Sequence, residues 1–230
     1  MRSPFLRGVV SGAAAGLLAA TVAFVVLEPV LREAIALEGG DDDGLVSRAV
    51  QERLGAPLGF VLVGIAFGLV LAAVDRAVRP GGGPWRRSLV LTAALFAAVV
   101  AFPQLRYPSN PPGVGDPDTV GDRTWGYLAA IAAGILIVCL IGFAARQLAA
   151  AGRLDPARQV LLLFGGLALA LVCWALLPGT AEPADVPAEL LWDFRIRSLG
   201  ITTLLWATLG VTYGALALRQ SARKPEPAAV

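Results

Sequence analysis

The sequence contains no histidine among its 230 residues. That removes the side chain which most often ligates transition metals and carries protons near neutral pH. It also excludes Ser-His-Asp and Cys-His catalytic sets. Cysteine is nearly absent: Cys139 and Cys173 each lie inside an apolar run, which is neither a disulfide framework nor a zinc knuckle. They read as small buried hydrophobes. Charged residues make up only 16%, against roughly 25% in soluble domains. The glycines at 81–83 are followed by Pro84 and Trp85 and lack the G-K-[S/T] of a phosphate loop. These absences argue against an ATPase or hydrolase. No enzyme activity, bound cofactor or nucleic-acid partner is expected.

What the chain has in abundance is apolar surface. Hydrophobic residues account for 57%, and the mean hydropathy is +0.70. A water-soluble core of this size has no room for so much of it, so the lipid bilayer is the expected solvent. About 20 apolar residues cross a bilayer as a helix. Runs near 8–31, 55–78, 88–105, 124–147, 158–177 and 198–218 approach or meet that length. They are continuous rather than alternating, and backbone groups find no water in lipid, so helices are expected rather than a barrel. The fold class is therefore all-α: one integral-membrane helical bundle over 1–230 with six transmembrane helices. The first run, preceded by Arg2 and Arg7, also has the look of a signal peptide. Its apolar core is longer than the roughly 7–15 residues of such peptides.

The links between the runs alternate in charge. With the N-terminus inside, the cytoplasmic segments hold 12 of the 19 basic residues and 3 of the 17 acidic ones, a net of +9. The other segments, the outer loops 32–54, 106–123 and 178–197 together with the span ends, carry a net of −7. Arginine and lysine concentrate on the cytoplasmic side of membrane proteins, so both termini are expected inside, in the plasma membrane. Pro29, Pro103 and Pro178 fall near the ends of the odd spans, and Arg76, Arg146 and Arg219 near the ends of the even ones. Three tandem helical hairpins fit this spacing, as do six evenly spaced spans without repetition. Gly8, Gly12 and Gly16 form a stripe of small residues on the first helix, and Gly55/Gly59, Gly64/Gly68 and Gly210/Gly214 repeat the four-residue step. Such faces let helices approach closely in lipid, either within the bundle or in a homo-oligomer.

No span carries a charge near its middle. Asp75, followed by Arg76, reads as interfacial. An ion path through this chain must therefore use hydroxyls, backbone carbonyls, Gln104 or a partner. Thr208 and Thr212 share a face of the last helix at i, i+4, although threonines in membrane helices also bond back to the preceding turn. The run 106–123 places Asp116, Asp118 and Asp122 close together with Asn110 nearby. Oxygen ligands of this kind suit a divalent cation, and Glu28 at the end of the first span is a further candidate. The same residues also suit turns and a helix cap. Val120 and Tyr127 occupy two ligand positions of a calcium-binding loop, so that motif is rejected. The stretch 187–200 reads as an interfacial helix turning into the last span, with Trp192 at headgroup depth and Asp193 and Arg197 paired at i, i+4.

Two of these segments resemble a known family. The run from Phe102-Pro103 through Arg106-Tyr-Pro-Ser-Asn-Pro-Pro-Gly-Val-Gly-Asp-Pro-Asp-Thr to Arg123-Thr124 is similar to the CbtA-type cobalt transporter subunits. So is Val186-Pro-Ala-Glu-Leu-Leu-Trp-Asp-Phe-Arg-Ile-Arg-Ser-Leu-Gly200. The layout of apolar runs fits as well, while the acidic insertion at 38–43 is particular to this chain. The resemblance implies a role in cobalt uptake linked to cobalamin supply, with Co2+ as the transported ion. It also implies a small one-span partner that bears histidines, which this chain lacks. The alternative reading is a non-transporting scaffold or assembly protein of a metal-uptake system.

Overall fold

A computed structural model describes residues 3–38, 55–78, 81–112, 114, 119–152, 154–179 and 186–222, with only the backbone for 35–38. Among these residues there are seven helices and no strand. They are α1 (Pro4–Val26), α2 (Glu28–Glu38), α3 (Ala56–Val78), α4 (Pro84–Arg106), α5 (Val120–Ala150), α6 (Asp155–Leu176) and α7 (Ala188–Ala222). All but α2 are long and apolar enough to cross a membrane. The six expected spans are thus present, and their boundaries follow local chemistry. Pro4 opens α1 and a proline also opens α6, positions where the missing N–H costs nothing. Gly152, at φ +69°, ends α5 in the left-handed conformation that glycine adopts without penalty.

Three boundaries differ from the sequence reading, and proline explains two of them. The first span was expected to run to residue 31, but α1 ends at Val26 and α2 begins at Glu28. Pro29 cannot donate to the preceding turn, so the helix breaks at Leu27 and restarts. The Leu27 carbonyl accepts from the N–H of Leu31 at 3.0 Å. Part of the expected outer loop is therefore helical. Pro103 does not end α4, which continues to Arg106. A π turn at Ala97–Ala101 precedes it and absorbs the donor that proline lacks. The third difference is the segment after 187. Instead of a separate interfacial helix, α7 runs unbroken from Ala188 to Ala222.

The chain forms two compact units, and the boundary falls inside α4. The first unit holds residues 1–93, 111–113 and 187–230. At its centre α1 packs along α3, glycine against glycine. A methyl group added at Gly8 would collide with the Gly68 carbonyl, one at Gly12 with that of Gly64, and one at Gly16 with that of Phe60. Contact this close between two helix backbones is what small residues permit in lipid. The stripe read from the sequence is thus occupied within the chain. On α7, Trp206 stacks obliquely against Phe67 of α3 with ring centroids 4.8 Å apart.

The second unit holds residues 94–110 and 114–186. Phe102, Tyr107, Ala130 and Ile137 form its core. Gly134 of α5 lies against the carbonyl of Ala98, inside the π turn, with no room for a side chain. Helix α6 buries no residue fully, and Leu163, Phe164, Leu171 and Leu176 face outward. In water that surface would be untenable; against lipid it is ordinary.

Candidate functional site

The residues of the proline-rich run 102–114 act first as clamps. Four C-terminal carbonyls of any helix lack internal partners. The guanidinium of Arg106 donates to the Leu177 carbonyl at 2.7 Å, and the Tyr107 hydroxyl to the Pro178 carbonyl at 2.9 Å. Both acceptors lie just past the end of α6. In return the indole N–H of Trp174 donates to the Leu105 carbonyl at 3.3 Å, with the Arg106 guanidinium 4.7 Å above its ring. Arg197 does the same work in the first unit. Its Nη1 donates to the Val26 carbonyl at the end of α1 at 2.9 Å, and its Nη2 pairs with Asp193 at 2.6 Å. The expected Asp193–Arg197 pair is present, and it positions a helix cap.

Beside the first clamp is an open cavity of about 440 Å³, lined by Tyr107, Asp122, Trp125, Gly126, Pro178 and Gly179 among others. Gly126 is small because a Cβ there would come 2.7 Å from the Tyr107 hydroxyl oxygen. Asp122 lies in the first turn of α5, where a carboxylate complements the helix dipole. One carboxylate beside an exposed indole attracts a cation without holding it firmly.

The other sequence candidates are dispersed. Asp116 and Asp118 lie outside the described residues. Asn110 is half-buried in the second unit. Glu28 belongs to the first unit and pairs with Arg32 at 3.0 Å. Among the described residues, no group of three or more Asp, Glu or Cys side chains is placed to hold a metal. Thr212 donates to the Thr208 carbonyl at 2.7 Å, and Thr202 and Thr203 bond likewise to the preceding turn. Gln104 is half-buried in the second unit. Cys139 is exposed and Cys173 half-buried, both as free thiols.

Sequence reasoning missed the main polar cluster, which lies wholly in the first unit. Asp75, near the end of α3, is 4% exposed. Its Oδ1 lies 2.6 Å from Arg87 Nε of α4, a close ion pair rather than an aligned hydrogen bond. Its Oδ2 lies 3.4 Å from Arg7 Nη2 of α1 and accepts from the Tyr213 hydroxyl of α7 at 3.0 Å. Arg7 also donates to that hydroxyl at 3.2 Å and lies over the tyrosine ring at 4.4 Å. One carboxylate thus joins four helices. Ser88 donates to the Gly210 carbonyl at 2.7 Å. Ser11 and Thr92, each four residues further along α1 and α4 from Arg7 and Ser88, are buried with hydroxyls that make no hydrogen bond. Arg7 had read as a charge that only sets topology, and Asp75 as interfacial. The available signal was a lone acid three residues from the end of an apolar run, with basic residues ahead of two other spans.

Six long apolar helices, with buried charge gathered where α1 and α4 begin and α3 ends, define a multi-pass helical membrane protein. The family model described as "Probable cobalt transporter subunit (CbtA)" matches residues 1–218, and the chain belongs to that family. No curated protein and no solved structure matches it.

Proposed function

We propose that this chain is the membrane subunit of a cobalt uptake system in the plasma membrane, with both termini cytoplasmic, acting with a small one-span partner that supplies histidines. The observation that carries the reading is the family match over residues 1–218 of a chain with six long apolar helices. The arginine-rich links support the orientation. They put the Asp122 cavity on the outer side and the Asp75 cluster on the inner side. The absence of histidine from the whole sequence supports a partner. Scattered oxygen ligands hold Co2+ weakly compared with imidazole, which suits passage more than capture. The test is cobalt accumulation under cobalt limitation in cells lacking the gene, then supplied with this chain alone and with its partner. Recovery only with both supports the reading; cobalt content indifferent to deletion and restoration rejects it. The alternative, a non-transporting scaffold, draws on the glycine seam of α1 and α3, which leaves no space for an ion between those helices.

A further inference from the structure

We propose that Asp75 is a relay carboxylate for the transported divalent cation, with the guanidinium of Arg87 as the exchangeable counter-ion that shuts the site while the cation is absent and that of Arg7 as the one that stays. The proposal deepens the cobalt-uptake reading and rests on it for the identity of the cation.

Among the described residues Asp75 is the only buried acidic side chain. An ionised carboxylate away from water needs a positive partner at all times. One guanidinium is enough to neutralise it. Here there are two, at 2.6 Å and 3.4 Å, and the surplus positive charge repels a divalent cation. The two arginines are held unequally. The Arg87 side chain is 28% exposed and that of Arg7 8%. Arg87 is therefore able to withdraw to the membrane surface by rotating its side chain, as arginines near helix ends do, while the glycine seam stays intact. Its departure leaves Asp75 with the Tyr213 hydroxyl and the more distant Arg7.

The surrounding atoms suit the exchange. The Tyr213 hydroxyl touches the carboxylate, Ser88 adjoins Arg87 in sequence, and one turn further along α1 and α4 from Arg7 and Ser88 the buried hydroxyls of Ser11 and Thr92 have no partner. One carboxylate and one hydroxyl, with water at the remaining positions, is a donor set that divalent cations accept. It binds weakly enough for the ion to leave, as conduction requires. The step exchanges one cation for another at the same oxygens; no covalent bond forms or breaks and no proton moves.

The test is equilibrium dialysis of Co2+ against the purified full-length chain in detergent, for the parent, Arg87→Gln, Arg87→Lys and the double variant Arg87→Gln/Asp75→Asn. Removing one guanidinium is expected to tighten Co2+ binding about tenfold or more. Arg87→Lys keeps the charge and leaves binding near the parent value, and the double variant loses the gain. Arg87→Gln binding no tighter than the parent, or a gain that persists without Asp75, overturns the proposal. If the double variant does not elute as a monodisperse species, the Gln–Lys contrast decides alone, and equal binding by the two overturns it. The uptake reading fails separately, when cellular cobalt ignores deletion of the gene, and that result leaves the dialysis outcome standing.

Discussion

Replacing Gly12 by alanine tests the packing of the first unit. The added methyl would lie 2.6 Å from the carbonyl carbon of Gly64 and 2.7 Å from the Cα of Ile65. Carbon atoms in contact rest about 3.5–4.0 Å apart. Both obstacles are backbone, so no side chain can rotate away, and the helices must part by roughly 1 Å. The neighbouring contacts at Gly8 and Gly16 loosen with them. Overpacking of this kind costs about 1–3 kcal/mol, and the better helix propensity of alanine returns about 0.5–1 kcal/mol. The expected net loss is about 1–2 kcal/mol. Gly59→Ala is the control, because a Cβ there meets nothing within 4 Å although the residue shares the same four-residue spacing. It is expected to be neutral or slightly stabilising. The assay is thermal unfolding in detergent, with elution volume as a check on oligomeric state. Equal loss in the two variants would refute the reasoning. So would a Gly12→Ala protein of parental stability whose oligomer had dissociated, since the stripe would then face another copy.

Tyr107→Phe removes the hydrogen bond to the Pro178 carbonyl and is expected to cost about 1 kcal/mol in the same unfolding assay. Arg197→Ala uncaps α1 at Val26 and breaks the pair with Asp193; a loss of about 1–2 kcal/mol is expected, and Arg197→Lys should recover only part of it because one ammonium serves both acceptors poorly. Asp122→Asn removes the carboxylate from the cavity beside Trp125 and is expected to lower uptake severalfold at limiting cobalt, with little effect at saturating cobalt. A reduction that persists unchanged at saturation argues against a role in attracting the ion.

The family resemblance and the clamps meet in the same residues. Arg106, Tyr107, Asp193 and Arg197 belong to the segments that carry the resemblance, and each satisfies a carbonyl at a helix end or positions the side chain that does. Part of what makes those segments distinctive is therefore architectural. In lipid an unsatisfied carbonyl costs several kcal/mol, so a polytopic protein needs such caps wherever its helices end short of water. That Arg106 would serve the end of α6, 71 residues away, is not readable from the run 102–114. Its charge near a helix end was visible, but the acceptor was not.

The sequence by itself determined where the six apolar helices lie, since hydropathy is a sum over neighbouring residues and survives any change of packing. It also marked which glycines had the spacing for close contact. The tertiary structure decided which of those glycines interlock: Gly64 and Gly68 do, Gly55 and Gly59 do not. It also brought Arg7 to Asp75 across 68 positions and Tyr213 to Asp75 across 138. Pairing of buried charges depends on distance through space, and a list of residues carries no such distance until the helices have been set side by side.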